Sequence, residues 1–337
     1  MNTIKEVYLC KIKNEEIWKE SSSGGVFFPL AKEIIEKYNG VVYGACYTED
    51  FRVEHRRATR VSELKMFMGS KYVQSRCVDV YKEVLEDLSN DHYVMFVGTA
   101  CQIDALLGLL KNKNNKLITI DILCHGAPSP KIFRDYIKFQ EAQHKDKIQT
   151  ISFRGKQLKH EVQDMFIEFQ SSKRYRSFST NDVYYNFFLQ NLSLRPSCFN
   201  CPYACAQRIS DITLADYWGN PEILPPVMKK TGASSVFINT AEGRRIFDEI
   251  KDMFFISESD LTVCEQPNLK HPTIRPTNYD DFWKCYINNG FSETIKRFAG
   301  NYKKITITRQ LKVFLNETGL LTVIRRIKRR KNEYTIK

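Results

Sequence analysis

The segment richest in chemistry is Arg195-Pro196-Ser197-Cys198-Phe199-Asn200-Cys201-Pro202-Tyr203-Ala204-Cys205. Two thiols at C-x-x-C spacing grip one metal centre from a single turn, and Pro202 stiffens the exit. The spacing alone fits an iron–sulfur centre, zinc, a thioredoxin-like redox pair or a purely structural role. Zinc asks for a second ligand pair, and the chain has no other C-x-x-C and no H-x-x-x-H. A cluster drawing its remaining ligands from distant loops fits better. Cys101 and Cys124, each just beyond a predicted core strand, are the candidates, with Cys205 in reserve.

Two further segments suit anions. Ser21-Ser22-Ser23-Gly24-Gly25 precedes a predicted helix, where free N–H groups and the positive end of the dipole attract phosphate. The same residues also serve as an ordinary helix cap. Gly69-Ser70-Lys71-Tyr72 offers a tight turn, a hydroxyl and a cation, which fits either a phosphate grip or a surface turn.

The elements that position these residues follow from periodicity. Val26 to Ile35 reads as a helix with Pro29 in its first turn, and 41–47 as a strand. Residues 79–88 read as a helix, and 93–97 as a buried strand running into Gly98-Thr99-Ala100-Cys101-Gln102. A helix to about Leu110 follows, then a strand over 117–123 ending at Cys124-His125-Gly126, then a helix opened by Pro130. This rhythm predicts an α/β fold whose chemistry lies where strands end. The alternation over 149–180 suggests antiparallel strands, so the central sheet is expected to be mixed and flanked by helices. Residues 183–192 and 242–253 read as helices, 211–217 and 235–239 as strands. The expected organisation is 1–90 and 91–265 as two parts of one core, then a helical basic tail over 266–337 set off by the proline-rich stretch 267–276.

Composition narrows the class. The 337 residues include ten cysteines, 42 % apolar and 27 % charged residues, an ordinary globular profile long enough to bury a core without disulfides. No apolar run reaches the roughly 18 residues of a membrane span. The start, Met1-Asn2-Thr3-Ile4-Lys5-Glu6, has no apolar stretch behind its charges, so a cytoplasmic location is expected. In a reducing compartment, clustered thiols are metal ligands or reactive groups. The net charge is +12, but residues 293–337 carry thirteen Lys or Arg against three Glu, which accounts for +10 of it. The body is nearly neutral, which argues against a nucleic-acid-binding surface there. A zinc-stabilised binding module whose tail contacts nucleic acid is the non-enzymatic alternative, and steeply salt-dependent binding would mark it.

Several strings, in order, resemble the beta-subunit family of coenzyme F-420 hydrogenases and dehydrogenases. They are Ser22-Ser23-Gly24-Gly25-Val26-Phe27, Val41-Val42-Tyr43-Gly44-Ala45, Gly69-Ser70-Lys71-Tyr72-Val73-Gln74-Ser75 and Gly98-Thr99-Ala100-Cys101-Gln102. Cys124-His125-Gly126-Ala127-Pro128-Ser129, Arg195-Pro196-Ser197-Cys198 and Asp211-Ile212-Thr213-Leu214-Ala215-Asp216-Tyr217-Trp218-Gly219 complete the set. The resemblance runs from about residue 18 to residue 245 and implies an iron–sulfur flavoprotein oxidoreductase using FAD and a [4Fe–4S] cluster. It implies Cys101, Cys124, Cys198 and Cys201 as the cluster ligands and leaves Cys205 out. It implies that Ser22, Ser23, Gly24, Gly25, Ser70, Lys71 and Tyr72 contact the FAD phosphates, and that Arg154 and Lys156 hold an anionic cofactor or substrate. His125 becomes a candidate proton donor beside the cofactors; a histidine that fixes its loop by a backbone hydrogen bond is the alternative. Asp216 and Trp218 fall near the cofactor, where ordinary strand-end packing is expected of them.

Two departures stand out. Ala100 replaces the proline common in relatives. Only Cys10 precedes residue 40, so the eight-cysteine ferredoxin-like module of many bacterial relatives is expected to be missing. Electrons are then expected from a separate reduced ferredoxin or from a deazaflavin or flavin donor. The implied setting is surface-polysaccharide biosynthesis, with a sugar-type or lipid-linked substrate. An electron-transfer subunit without a substrate of its own is the other redox alternative. The stretch Ile305 to Ile327, ending in Arg325-Arg326-Ile327-Lys328-Arg329-Arg330-Lys331, is basic and amphipathic, which suits contact with the inner membrane face or with an acidic partner.

Overall fold

Short apolar runs bounded by polar residues pair as strands here, and the helical stripes between them cover the sheet they form. The computed structural model describes residues 1–110, 114–154, 156, 164–229 and 232–300. The chain opens with β1 (Asn2–Thr3), β2 (Glu6–Ile12), the short α1 (Glu15–Glu20) and α2 (Phe27–Glu36). A hairpin of β3 (Val41–Tyr47) and β4 (Val53–Ala58) leads to α3 (Val78–Ser89), β5 (Val94–Thr99) and α4 (Ala100–Leu109). Next come β6 (Leu117–Ile122), α5 (Pro130–His144), β7 (Ile148–Ser152), β8 (Asp164–Phe169), β9 (Arg174–Phe178) and α6 (Val183–Leu189). The last part holds β10 (Gln207–Arg208), β11 (Ile212–Asp216), α7 (Pro226–Lys229), β12 (Ser234–Ile238), α8 (Ala241–Ile250), β13 (Phe254–Ser259) and α9 (Tyr279–Phe298).

Eight strands form the main sheet in the order β13-β2-β12-β11-β6-β5-β3-β4. Its middle, β11-β6-β5-β3, is parallel, and the outer pairs are antiparallel. Parallel strands are buried on both faces, which is why β5 and β6 read as near-continuous apolar runs. On one face Leu30, Ala31 and Ile34 of α2 pack with Ile246, Phe247 and Ile250 of α8. On the other, Val80 and Val84 of α3 pack with Ile103 and Leu106 of α4. The mixed α/β sheet flanked by helices is therefore as the sequence predicts.

The mixing has a different origin from the one expected. The alternating stretch 149–180 does make antiparallel strands, but β7-β8-β9 form a sheet of their own. They face an aromatic cluster with Phe133 and Tyr136 of α5, Tyr184 and Phe187 of α6, and Phe282 and Tyr286 of α9. Helix α9 breaks at Gly290, whose φ of 77° lies in the left-handed region. Among the described residues no helix is long and apolar enough to cross a membrane. The basic amphipathic stretch after residue 300 lies outside the described residues.

Candidate functional site

Strand register brings the first thiols together. Parallel β5 and β6 pair Thr99 with Ile122, so Cys101 and Cys124 each lie two residues past the same rung. On the next strand Leu214 pairs with Ile122, which puts Asp216 at the same level. This is the carboxyl end of a parallel block, where ligands of open α/β sheets gather. Cys101 sits in the first turn of α4, exposed, with the Thr99 hydroxyl 3.1 Å from its sulfur. The Gln102 side chain accepts from the Thr99 N–H at 3.0 Å and donates to Ser75 Oγ at 2.8 Å, fastening that strand end.

Backbone bonds stitch the Cys124 loop to the C-x-x-C turn. Arg195 N–H donates to the Ala127 carbonyl at 3.0 Å, Ser129 N–H to the Ser193 carbonyl at 2.8 Å, and Pro128 bridges Leu194. Gly126 allows the approach, because its φ is 151° and an added Cβ would meet Leu194 Cδ1 at 2.7 Å. Pro196 opens the 3-10 turn Pro196–Asn200 that carries Cys198, and Cys201 follows directly. The Ala127 N–H points at the Cys198 sulfur, 3.4 Å away. Backbone N–H groups of Gly126 and of Tyr203 and Ala204 favour the thiolates of Cys124 and Cys201 respectively.

Electrostatics tie the four sulfurs into one group. Burial pushes the Cys124 thiol up to about 12, and the fields of Cys198, Cys101 and Cys201 add to it. Burial also raises Cys201, with smaller contributions from Cys101 and Cys198. Like charges at close range suppress one another in this way unless a cation takes the protons' place. Among the described residues no three His, Cys, Asp or Glu side chains stand close enough to hold a single metal ion. Cys205 turns its thiol to the carbonyls of Gln207, at 3.3 Å, and Pro202.

A buried arginine that sequence reasoning did not single out holds the turn in place. Arg208 pairs with Asp121 of β6, both almost wholly buried. It also donates to the carbonyls of Tyr203, at 2.9 Å, and Cys205, at 3.1 Å. Asp121 in turn accepts from Ser210 and Thr213. The loop after Cys201 is thus clamped to the strand that ends at Cys124.

His125 lies in this loop but is engaged on one side. Its Nε2 is 2.6 Å from Asn191 Oδ1, and its ring stands edge-on to Phe188 with centroids 5.3 Å apart. Burial lowers its pKa, opposed by Asn191. The loop itself is fixed through the His125 carbonyl, which accepts from Thr273. Phe188 stacks on Tyr72 at 4.7 Å, so one aromatic contact separates the Cys124 loop from the Gly69–Tyr72 turn.

The Ser-Gly segment meets that turn directly. Ser22 Oγ accepts from both the N–H and the hydroxyl of Ser70, at 2.6 and 2.8 Å. Gly24 presses on β2 and β12, where a Cβ would collide with the Cys10 carbonyl, and its N–H donates to Ser234 Oγ at 2.9 Å. Gly25 adopts φ 84° before α2, whose N-cap is Val26 rather than a serine. Ser23 donates to the Ala233 carbonyl at 3.1 Å. Three cations gather beside the segment. Lys156 donates to the carbonyls of Trp18 and Ser23 and lies 4.3 Å from the Trp18 ring centre. Burial, then the neighbouring Arg154, brings its pKa down to about 7. Arg154 pairs with Asp216, and Lys11, not foreseen from sequence, is buried on β2 against Glu15 and Trp18. Lys71 turns back on its own loop: it donates to the Met68 carbonyl at 2.9 Å, and burial lowers it to about 8.

Trp218 differs from its expected packing. It is 57 % exposed, presented on a turn in which Tyr217 Oη donates to the Asn220 carbonyl at 3.0 Å.

Comparison with known proteins bears on this arrangement. The family model that describes the C terminus of the beta chain of coenzyme F420 hydrogenase/dehydrogenase matches residues 91–263. The fold is similar to a chain from the xenon-derivatised F420-reducing [NiFe] hydrogenase complex of Methanosarcina barkeri, with a TM-score of 0.52 and 14 % identity. The match covers 88 % of this chain and 92 % of that one. No curated protein matches.

Proposed function

The chain belongs to the coenzyme F420 hydrogenase/dehydrogenase beta-subunit family, a family of oxidoreductase subunits, and from that premise we propose that it is an iron–sulfur flavoprotein. In this reading Cys101, Cys124, Cys198 and Cys201 hold a [4Fe–4S] cluster, and FAD binds across the carboxyl end of the parallel strands. The observation that carries it is the convergence of four thiols from three loops, three of them facing backbone N–H groups. Soft thiolates with N–H donors suit iron–sulfur ligation. Sulfurs close enough to sense one another's charge suit one shared centre.

The cluster would supply single electrons and the flavin their conversion to two-electron chemistry. The chain's own residues bind and orient. Ser22 to Gly25, with Ser70, Lys71 and Tyr72, border the phosphate side, and Arg154 contributes positive charge there, joined by Lys156 when it is protonated. His125, oriented by Asn191, is assigned to proton transfer through Nδ1. The exposed Trp218 indole offers a flat apolar face to the organic partner, which we take to be a sugar or sugar-linked intermediate of surface-polysaccharide assembly. A subunit that only relays electrons inside an assembly is the second reading, favoured by the similar fold in a hydrogenase complex.

Serine substitution tests the ligand set. Cys124→Ser, Cys198→Ser and Cys201→Ser should each remove most iron and sulfide from anaerobically purified protein, while Cys205→Ser keeps both. Full iron in Cys124→Ser, or its loss in Cys205→Ser, contradicts the assignment.

A further inference from the structure

We propose that Arg195 and the apolar cleft beside it form the docking face of an acidic one-electron carrier protein, which exchanges electrons at the Cys101 side of the thiol group. This rests on the redox reading above and adds where the carrier binds and what recognises it. Of the four thiols, Cys101 alone is exposed. Arg195 begins the turn that carries Cys198, and its charge reaches Cys77, which also senses Cys101. Arg275, in the cleft lining, is paired with Asp280, and Arg76, next to Cys77 in sequence, with Asp79. Among the described residues no carboxylate pairs with Arg195, and its side chain is exposed.

A cleft of about 590 Å³ opens next to it, lined by Pro196, Phe199, Pro272 and Ile274 together with polar residues that include His271 and Arg275. Ile274 is 75 % exposed at its rim. A cation with no carboxylate partner among the described residues, next to exposed apolar surface and three residues from the proposed ligand Cys198, matches what transient electron-transfer partners use. Their interfaces are small, with a little apolar contact for grip and charge for steering. The basic tail attracts an acidic partner at long range, and on the nearly neutral body a local charge such as Arg195 orients it. The carrier therefore presents carboxylates around an apolar side chain. One electron would pass from the reduced carrier to the group these thiols would hold, leaving the carrier oxidised by one electron.

The test uses the full chain purified anaerobically, with iron and sulfide quantified first. A reduced low-potential [4Fe–4S] ferredoxin is the protein probe, and the methyl viologen radical cation is the small-molecule control. Arg195→Glu should slow reduction by ferredoxin by about tenfold or more at low salt and flatten its salt dependence, leaving reduction by viologen unchanged. Calorimetric titration with oxidised ferredoxin should show the same loss of binding, independent of turnover. In Arg195→Lys, carbodiimide should join residue 195 to a ferredoxin carboxylate, as read by mass spectrometry. Wild-type binding and rate in an Arg195→Glu protein with full iron would overturn the docking face while leaving the redox reading intact. Iron-free wild-type protein would overturn both.

Discussion

Lys156 shows how one residue's surroundings set a measurable pH response. Its ammonium is half-buried among carbonyls, the Trp18 ring and the Arg154–Asp216 pair, and in the fold it loses its proton near pH 7. The unfolded chain keeps that proton up to the ordinary lysine value of 10.5. Below pH 7 both states hold the proton, and the fold bears the whole cost of the buried charge. Between the two values the unfolded state binds more protons, so this site's contribution to stability rises with pH. The difference in unfolding free energy between wild type and Lys156→Gln should therefore climb from pH 7 to pH 9. A flat difference would mean that the ammonium stays charged in the fold. Cys101 makes a second contrast at this scale. It is exposed and has the Thr99 hydroxyl beside it, whereas the other three proposed ligands face backbone N–H groups. Its corner of the group is the most exposed to solvent.

Elements act through their joints. The Arg208–Asp121 pair clamps the loop after Cys201 onto β6, so it ties two of the three thiol-bearing segments together. Arg208→Ala leaves a buried carboxylate uncompensated, which typically costs about 3–5 kcal/mol. Denaturant unfolding of the variant should show a loss of that size; a loss below about 1 kcal/mol would mean that water compensates Asp121. Much at this scale is legible in the chain. β3, β5 and β6 announce themselves as apolar runs ending in glycine or cysteine, and α5 by Pro130 at its first position. The cysteines could be placed at strand ends because those strands are parallel and adjacent. β2 and β13 are not legible: each is interrupted by charge or polar residues, and β2 pairs with strands more than 200 residues away. Lys11 on β2 is buried only because Glu15 and Trp18 meet it, which spacing does not reveal. Alternation identified β7 to β9 as strands but not their partners, since a period of two residues is silent about which sheet a strand joins. Gly24 and Gly25 look like a phosphate loop, yet their first duty is steric, letting the segment press on β2 and β12.

The whole molecule brings two kinds of region to one sheet end. Thiols from three loops converge at the carboxyl ends of β5 and β6, and the cations Arg154 and Lys156 gather with the Ser22–Gly25 segment nearby. The Tyr72–Phe188–His125 contacts link the two regions. Outside the strongly basic tail the body is nearly neutral, and the docking proposal gives the local charge of Arg195 the task of orienting the partner. As proposed, this junction holds a cluster and a flavin together. Iron, sulfide, zinc and flavin quantified in one anaerobic preparation test that proposal most directly. About four iron and four sulfide per chain are expected, with FAD released on denaturation and no stoichiometric zinc. A colourless protein holding one zinc and no flavin after reconstitution would contradict it.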